Sequence, residues 1–130
     1  VKAALGIAFA GALGAMSRHL VGTWVTARFS GSGPVPGLPW GTVAVNVTGS
    51  FLLGFVGGLA LTGDRVPAAW RPALTTGFLG SFTTFSTFSV ETIRLLEQGE
   101  WATALANVSV QLALGMGAAV GGLAAGRALG

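Results

Sequence analysis

The chain has 130 residues, of which 8% are charged and 52% apolar, with 7 Lys and Arg against 4 Asp and Glu. A soluble domain carries about 25% charged residues, so this chain cannot coat a globule with polar side chains, and a soluble monomer is excluded. With no Cys there is no disulfide or thiolate metal site, and the pI near 11.3 reflects scattered cations rather than a basic cluster that could bind nucleic acid.

Uncharged runs cover Ala3–Ser17, Phe29–Gly63, Pro72–Val90 and Trp101–Gly126. A membrane helix needs about 20 residues, and backbone polar groups in lipid must be satisfied internally, which favours helices. No run alternates apolar and polar residues as a β-barrel strand would. The sequence predicts four spans, Ala4–Ala27, Trp40–Thr62, Arg71–Gln98 and Glu100–Arg127, in one unit over residues 1–130. The first continues through Arg18 and lacks a convincing cleavage site, so it reads as a span rather than a signal peptide. The stretch Ser30-Gly31-Ser32-Gly33-Pro34-Val35-Pro36-Gly37-Leu38-Pro39 ends it as a loop. Gly63-Asp64-Arg65-Val66-Pro67 and Gln98-Gly99-Glu100 form the other connections. Trp24, Trp40, Trp70 and Trp101 fall near span ends, as an aromatic belt requires.

In the second span Thr42, Asn46 and Ser50 recur every four residues, giving one polar stripe. The fourth span has Asn107, Gln111 and Gly115 in a similar stripe. Each is readable as interhelical hydrogen bonding or as pore lining, with an amide N–H facing an anion. The third span reads Gly77-Phe78-Leu79-Gly80-Ser81-Phe82-Thr83-Thr84-Phe85-Ser86-Thr87-Phe88-Ser89, poor in strong helix formers. Either its hydroxyls bond back to their own helix, or the helix breaks beside a polar cavity. A break would free carbonyls for a cation and N–H groups for an anion. Gly80 is the expected break point, because it tolerates dihedrals closed to other residues. Phe85 and Phe88 share a helix face. They are either packing residues or, through their positive ring edges, part of an anion path that binds weakly enough for exit.

Arg18 can snorkel or serve an aqueous mouth, and Glu91 can pair with Arg94 or Arg18. His19 has no partner for a metal site. Gly54/Gly58, Gly117/Gly121 and Gly122/Gly126 fit the small-xxx-small contact pattern. The positive-inside count sets Lys2, Arg65, Arg71 and Arg127 against Arg18, Arg28 and Arg94. It leaves a single orientation and insertion both ways equally open. No catalytic triad, carboxylate pair or phosphate loop is apparent, so an enzyme is not expected.

Three segments together resemble the Fluc/CrcB family of fluoride channels. They are Gly11-Ala12-Leu13-Gly14-Ala15-Met16-Ser17-Arg18-His19, the run from Trp40 to Phe51 that contains Asn46, and the run from Gly77 to Glu91. Thr83-Thr84-Phe85-Ser86-Thr87-Phe88-Ser89 is the most specific piece. The resemblance implies an all-α membrane protein of four transmembrane helices with a break in the third, assembled as an antiparallel dual-topology dimer. It implies passive fluoride export across the cell membrane through two pores. Backbone carbonyls of Gly80 and Thr83 from both subunits would hold a structural Na⁺. The fluoride pathway would run along Phe85, Phe88 and Asn46, with Thr42, Ser50, Thr84, Thr87 and Gln111 contributing donors. Arg18 and Glu91 would be pore-mouth or structural residues. The expected partners are fluoride, the lipid bilayer and a second copy or a paired homologue, with no nucleic acid. The chain departs from the family in having no Tyr, with Asn107 near the position where one often stands, and in Ser17-Arg18-His19 in place of an Arg-Tyr ending. The competing readings are a small secondary transporter or fluoride/proton antiporter, disfavoured by the lack of a mid-span acid, and a non-conducting assembly protein, disfavoured by the polar stripes.

Overall fold

The computed structural model describes residues 1–29, 31–63 and 65–130; Ser30 and Asp64, each inside a predicted loop, lie outside the described residues. The described chain comprises α1 (Lys2–Phe29), α2 (Trp40–Thr62), a π-helical stretch (Ala73–Leu79) that runs into the single turn α3 (Gly80–Phe82), α4 (Phe85–Glu97) and α5 (Trp101–Leu129). α1, α2 and α5 are each long and apolar enough to cross a membrane. The predicted third span is present in two pieces, with Thr83 and Thr84 between them. The chain is therefore an all-α, multi-pass membrane protein with a bent third crossing. Large apolar side chains along α1 and α5, including Phe9, Leu13, Leu105 and Met116, face outward where lipid would lie. Trp24, Trp70 and Trp101 are exposed near helix ends, in the belt position read from the sequence.

The closest helix pair is α2 against α5. Glycines on both helices allow it: a Cβ at Gly54 or Gly58 would overlap the backbone of Ala119 or Leu123. One at Gly122 or Gly126 would overlap the carbonyl of Phe51 or Phe55. Two of the three predicted small-residue pairs form this seam. The third, Gly117/Gly121, has nothing within 4 Å of where a Cβ would lie. In lipid, helix association depends on close packing rather than on a hydrophobic drive. Gly122→Leu is accordingly expected to abolish the monodisperse folded species in detergent gel filtration, whereas Gly121→Leu is expected to elute as wild type does.

The turn between α4 and α5 is built by Gly99 at φ +79°. The Glu100 N–H donates to the Leu95 carbonyl at 2.8 Å and the Gly99 N–H to the Leu96 carbonyl at 3.0 Å. This is the Schellman arrangement, in which a glycine in the left-handed region closes a helix.

The break falls three to four residues later than the sequence suggested. Gly80 is helical, at φ −64° and ψ −31°, and its N–H donates to Thr75 O and Gly77 O. The extended residues are Thr83 (φ −86°, ψ 161°) and Thr84 (φ −151°, ψ 110°). Glycine permits an unusual backbone but does not impose one, and here the imposing contact comes from α2.

Candidate functional site at the break in the third crossing

Thr84 restarts the helix. Its side chain accepts from the Thr87 N–H at 3.2 Å and donates to Thr87 Oγ1 at 2.9 Å. A Thr in extended conformation before a helix is a normal N-cap. The peptide groups of Thr84 have left the helical ladder and are taken up by Asn46 of α2. Asn46 Oδ1 accepts from the Thr84 N–H at 2.8 Å, and Asn46 Nδ2 donates to the Thr84 carbonyl at 3.1 Å. The side-chain amide thus pairs with the peptide as a neighbouring strand would, satisfying polar groups that lipid could not. Because the Thr84 N–H is committed to Asn46, the Gly80 carbonyl loses its i+4 donor. The Thr83 carbonyl accepts a long, 3.4 Å bond from Arg18 Nη1.

Both alternatives offered for the hydroxyls occur together. Thr83, Ser89 and Thr92 each donate to the carbonyl four residues back, on Leu79, Phe85 and Phe88. Thr84 instead serves the break.

The polar stripes of α2 and α5 meet at this point. Asn46 Nδ2 also donates to Gln111 Oε1 at 2.7 Å, Gln111 Nε2 donates to Asn107 Oδ1 at 3.2 Å, and Asn107 Nδ2 donates to Thr92 Oγ1 at 2.9 Å. Asn107 and Thr92 were absent from the sequence-based site. The four-residue spacing of Asn107 and Gln111 was the available signal for the first. Ser50, the third member of the α2 stripe, lies near Gly115 of α5, outside this chain of amides.

Thr42, one turn before Asn46, donates to Glu91 Oε1 at 2.8 Å. Glu91 Oε2 is buried and has no hydrogen-bond partner among the described residues. The expected pairing of Glu91 with Arg18 or Arg94 is replaced by these contacts: Glu91 takes the Thr42 hydroxyl, and Arg18 reaches the Thr83 carbonyl.

Phe85 and Phe88 do share a face, with ring centroids 5.6 Å apart and planes at 56°. Phe85 is 78% exposed, so little of this chain covers it. The rings stand on the first turn of α4, where first-turn N–H groups lack intrahelical acceptors and the helix dipole is positive. Thr84 and Thr87, at the same helix end, line a cavity of about 470 Å³ together with Arg18, His19, Thr26 and Thr42, among others, and neither ring is part of that lining. Hydroxyls, the Arg18 guanidinium and the N-terminus of α4 thus meet at this cavity, a donor-rich surface suited to a small anion. Among the described residues no group of three His, Cys, Asp or Glu could hold a metal.

Residues 5–123 match the model of the family described as CrcB-like protein, Camphor Resistance. The fluoride-specific ion channel FluC 2 of Symbiobacterium thermophilum is 50% identical over 113 residues, covering 87% of this chain and 88% of the relative. The fluoride-specific ion channel FluC of Sorangium cellulosum is 42% identical over 123 residues, covering 95% and 93%. That of Geobacter metallireducens is 51% identical over 102 residues, covering 78% of each.

Proposed function

The chain belongs to the CrcB family, and from that premise we propose that it is a fluoride-selective channel that lets the ion leave the cell down its gradient. The observation that carries this reading is the break itself. A helix interrupted at Thr83 and Thr84 stands beside an amide-lined interior and turns two phenylalanine rings outward from the restart. Fluoride is small and strongly hydrated, so a path must offer many donors in sequence, none strong enough to trap it. Thr87 and Ser86 hydroxyls, the α4 N-terminus and the edges of Phe85 and Phe88 supply weak donors without a full positive charge. Arg18 lines the same cavity as Thr42, Thr84 and Thr87, where its charge would raise the local anion concentration.

The proposal includes an antiparallel dimer inserted in both orientations. The exposed Phe85 fits it, since a second subunit would complete the wall that this chain leaves open. It also includes a Na⁺ held by the Gly80 and Thr83 carbonyls of each subunit. The residues present fit such an ion: the Gly80 carbonyl has lost its helical donor, and the Thr83 carbonyl keeps only a long contact to Arg18 within this chain. Both lie at the C-terminal, negative end of a half-helix, where Na⁺ is held in other membrane proteins. When bound, the ion would offset part of the cost of bringing an anion into the membrane.

The deciding experiment is efflux from liposomes loaded with KF or KCl and triggered by valinomycin. Fast fluoride efflux with chloride retained is the expected outcome. Comparable chloride flux would remove the selectivity claim, and a strict requirement for a pH gradient would favour an antiporter. Preparing the protein with a bulky organic cation in place of Na⁺ is expected to lower both flux and assembly stability, and no change in either would dismiss the ion.

Orientation is tested independently. Because the chain has no native Cys, Lys2→Cys or Arg65→Cys gives a single reporter in intact cells. Labelling of about half the molecules from each side is expected for a small cation imbalance; one-sided labelling would mean fixed topology.

A further inference from the structure

We propose that Gln111 and Asn107 are positioning residues, which together with Asn46 and Thr92 form a one-way relay of hydrogen bonds fixing the backbone that carries Phe85 and Phe88. The inference rests on the channel reading above and assigns a task that reading leaves open.

The direction of the bonds is the argument. The Thr84 N–H donates to Asn46 Oδ1, and Asn46 Nδ2 donates to Gln111 Oε1. Gln111 Nε2 donates to Asn107 Oδ1, Asn107 Nδ2 to Thr92 Oγ1, and Thr92 Oγ1 to the Phe88 carbonyl. Every amide accepts through oxygen and donates through nitrogen, so the series runs head to tail as a peptide ladder does. It leaves the third crossing at Thr84, passes through α2 and α5, and returns at Phe88. Its two ends bracket Phe85 to Phe88, the turn that carries both rings. Bonds aligned in this way polarise one another, and reversing or removing one amide leaves two neighbours unpaired in a buried setting, which is costly.

The same accounting argues against direct ion binding by the innermost members. Both hydrogens of Asn46 Nδ2 are committed, one to Gln111 and one to the Thr84 carbonyl. Asn107 is 0% exposed and Gln111 9%, so a passing anion meets the rings and hydroxyls rather than these amides. Their influence would be exerted through the position of the Thr84 turn.

The test compares isosteres at position 111. Gln111→Met keeps the volume and removes both bonds; flux is expected to fall about tenfold or more, given the size of a lost buried pair. Hydrogen exchange at residues 83–88 is expected to accelerate. Asn107→Leu is expected to do the same, and the double variant to be no worse than either single one within about twofold, the signature of residues acting as one unit. Gln111→Glu supplies a readout that packing alone would not move. Its protonated carboxyl accepts from Asn46 and donates to Asn107, reproducing the amide; its carboxylate cannot donate. Flux in this variant is therefore expected to be near wild type at low pH, where the carboxyl is protonated, and to fall as the pH rises. The ionisable groups of neighbouring helices that touch this region, Arg18 on α1 and Glu91 on α4, are also present in wild type. Its profile over the same range, with empty liposomes for leak, removes their part. Wild-type flux and exchange in Gln111→Met, additive losses in the double variant, or a Gln111→Glu profile parallel to wild type would each overturn the relay. If Gln111→Met does not fold, the Gln111→Glu profile decides. If wild type conducts no fluoride, the channel reading fails, and hydrogen exchange at 83–88 still judges the relay.

Discussion

Phe85→Ile and Phe88→Ile are each expected to cut fluoride flux by about 30-fold while leaving the folded protein intact, taking the ring-edge term as similar to a desolvated cation–ring contact of about 2 kcal/mol. Isoleucine keeps an apolar side chain and removes the aromatic quadrupole, whose positive edge is the feature that attracts an anion. The exposure of the Phe85 ring, 78%, makes the experiment clean on that side. A residue so little covered by its own chain contributes little to the chain's packing, so its loss cannot act through unfolding of the subunit. Phe88 is partly covered, and its tilted contact with Phe85 predicts that the two substitutions together are not additive. Gel filtration and valinomycin-driven efflux on the same preparation decide the matter. Wild-type flux in both variants would return the pair to a packing role, and the donors at the break would then have to account for conduction alone.

The spans were legible because a membrane imposes a coarse rule on composition. Trp40–Thr62 is α2 to the residue, and Ala4–Ala27 and Glu100–Arg127 lie within two residues of α1 and α5 at each end. Charge-free length and tryptophan at the ends carry that information locally. The third crossing was legible as unusual but not in its detail. Glycine at position 80 drew the expected break because local sequence records only what a residue permits. What forces the backbone out of the helix is the amide of Asn46, 38 positions away, and no window along the third span contains it. Asn107 shows the same limit from the other side. Its place in a four-residue stripe with Gln111 was visible, but whether such a stripe faces a pore or a neighbouring helix depends on how α5 is rotated against α2. That rotation is set by Gly54, Gly58, Gly122 and Gly126. The equally spaced Gly117/Gly121 pair is left unused, so pattern alone could not choose among them.

Removing Asn46 is expected to have the largest single effect in the molecule. Asn46→Leu deletes the partner of the Thr84 N–H, of the Thr84 carbonyl and of Gln111 Oε1. A buried polar group left unpaired costs about 1–3 kcal/mol, so three give roughly 3–9 kcal/mol, comparable to the whole stability of an ordinary domain at about 5–15 kcal/mol. The chain has one other way to satisfy Thr84, which is to restore a continuous helix through residues 80–88 and return its N–H to the Gly80 carbonyl. That route would close the break and withdraw the freed carbonyls. Asn46→Leu is therefore expected to yield either no folded protein or a folded protein without flux, with slowed hydrogen exchange across residues 80–88. Asn46→Asp separates the two halves of the amide: it keeps the acceptor for the Thr84 N–H and loses both donors, so the break should persist while the link to Gln111 is cut. The order of severity follows from counting orphaned groups, with Asn46→Leu above Asn46→Asp and Gln111→Met. A thermal-melt series in detergent, run beside efflux, measures that order. Equal melting points and wild-type flux in Asn46→Leu would show that the bent crossing is held by something other than this amide.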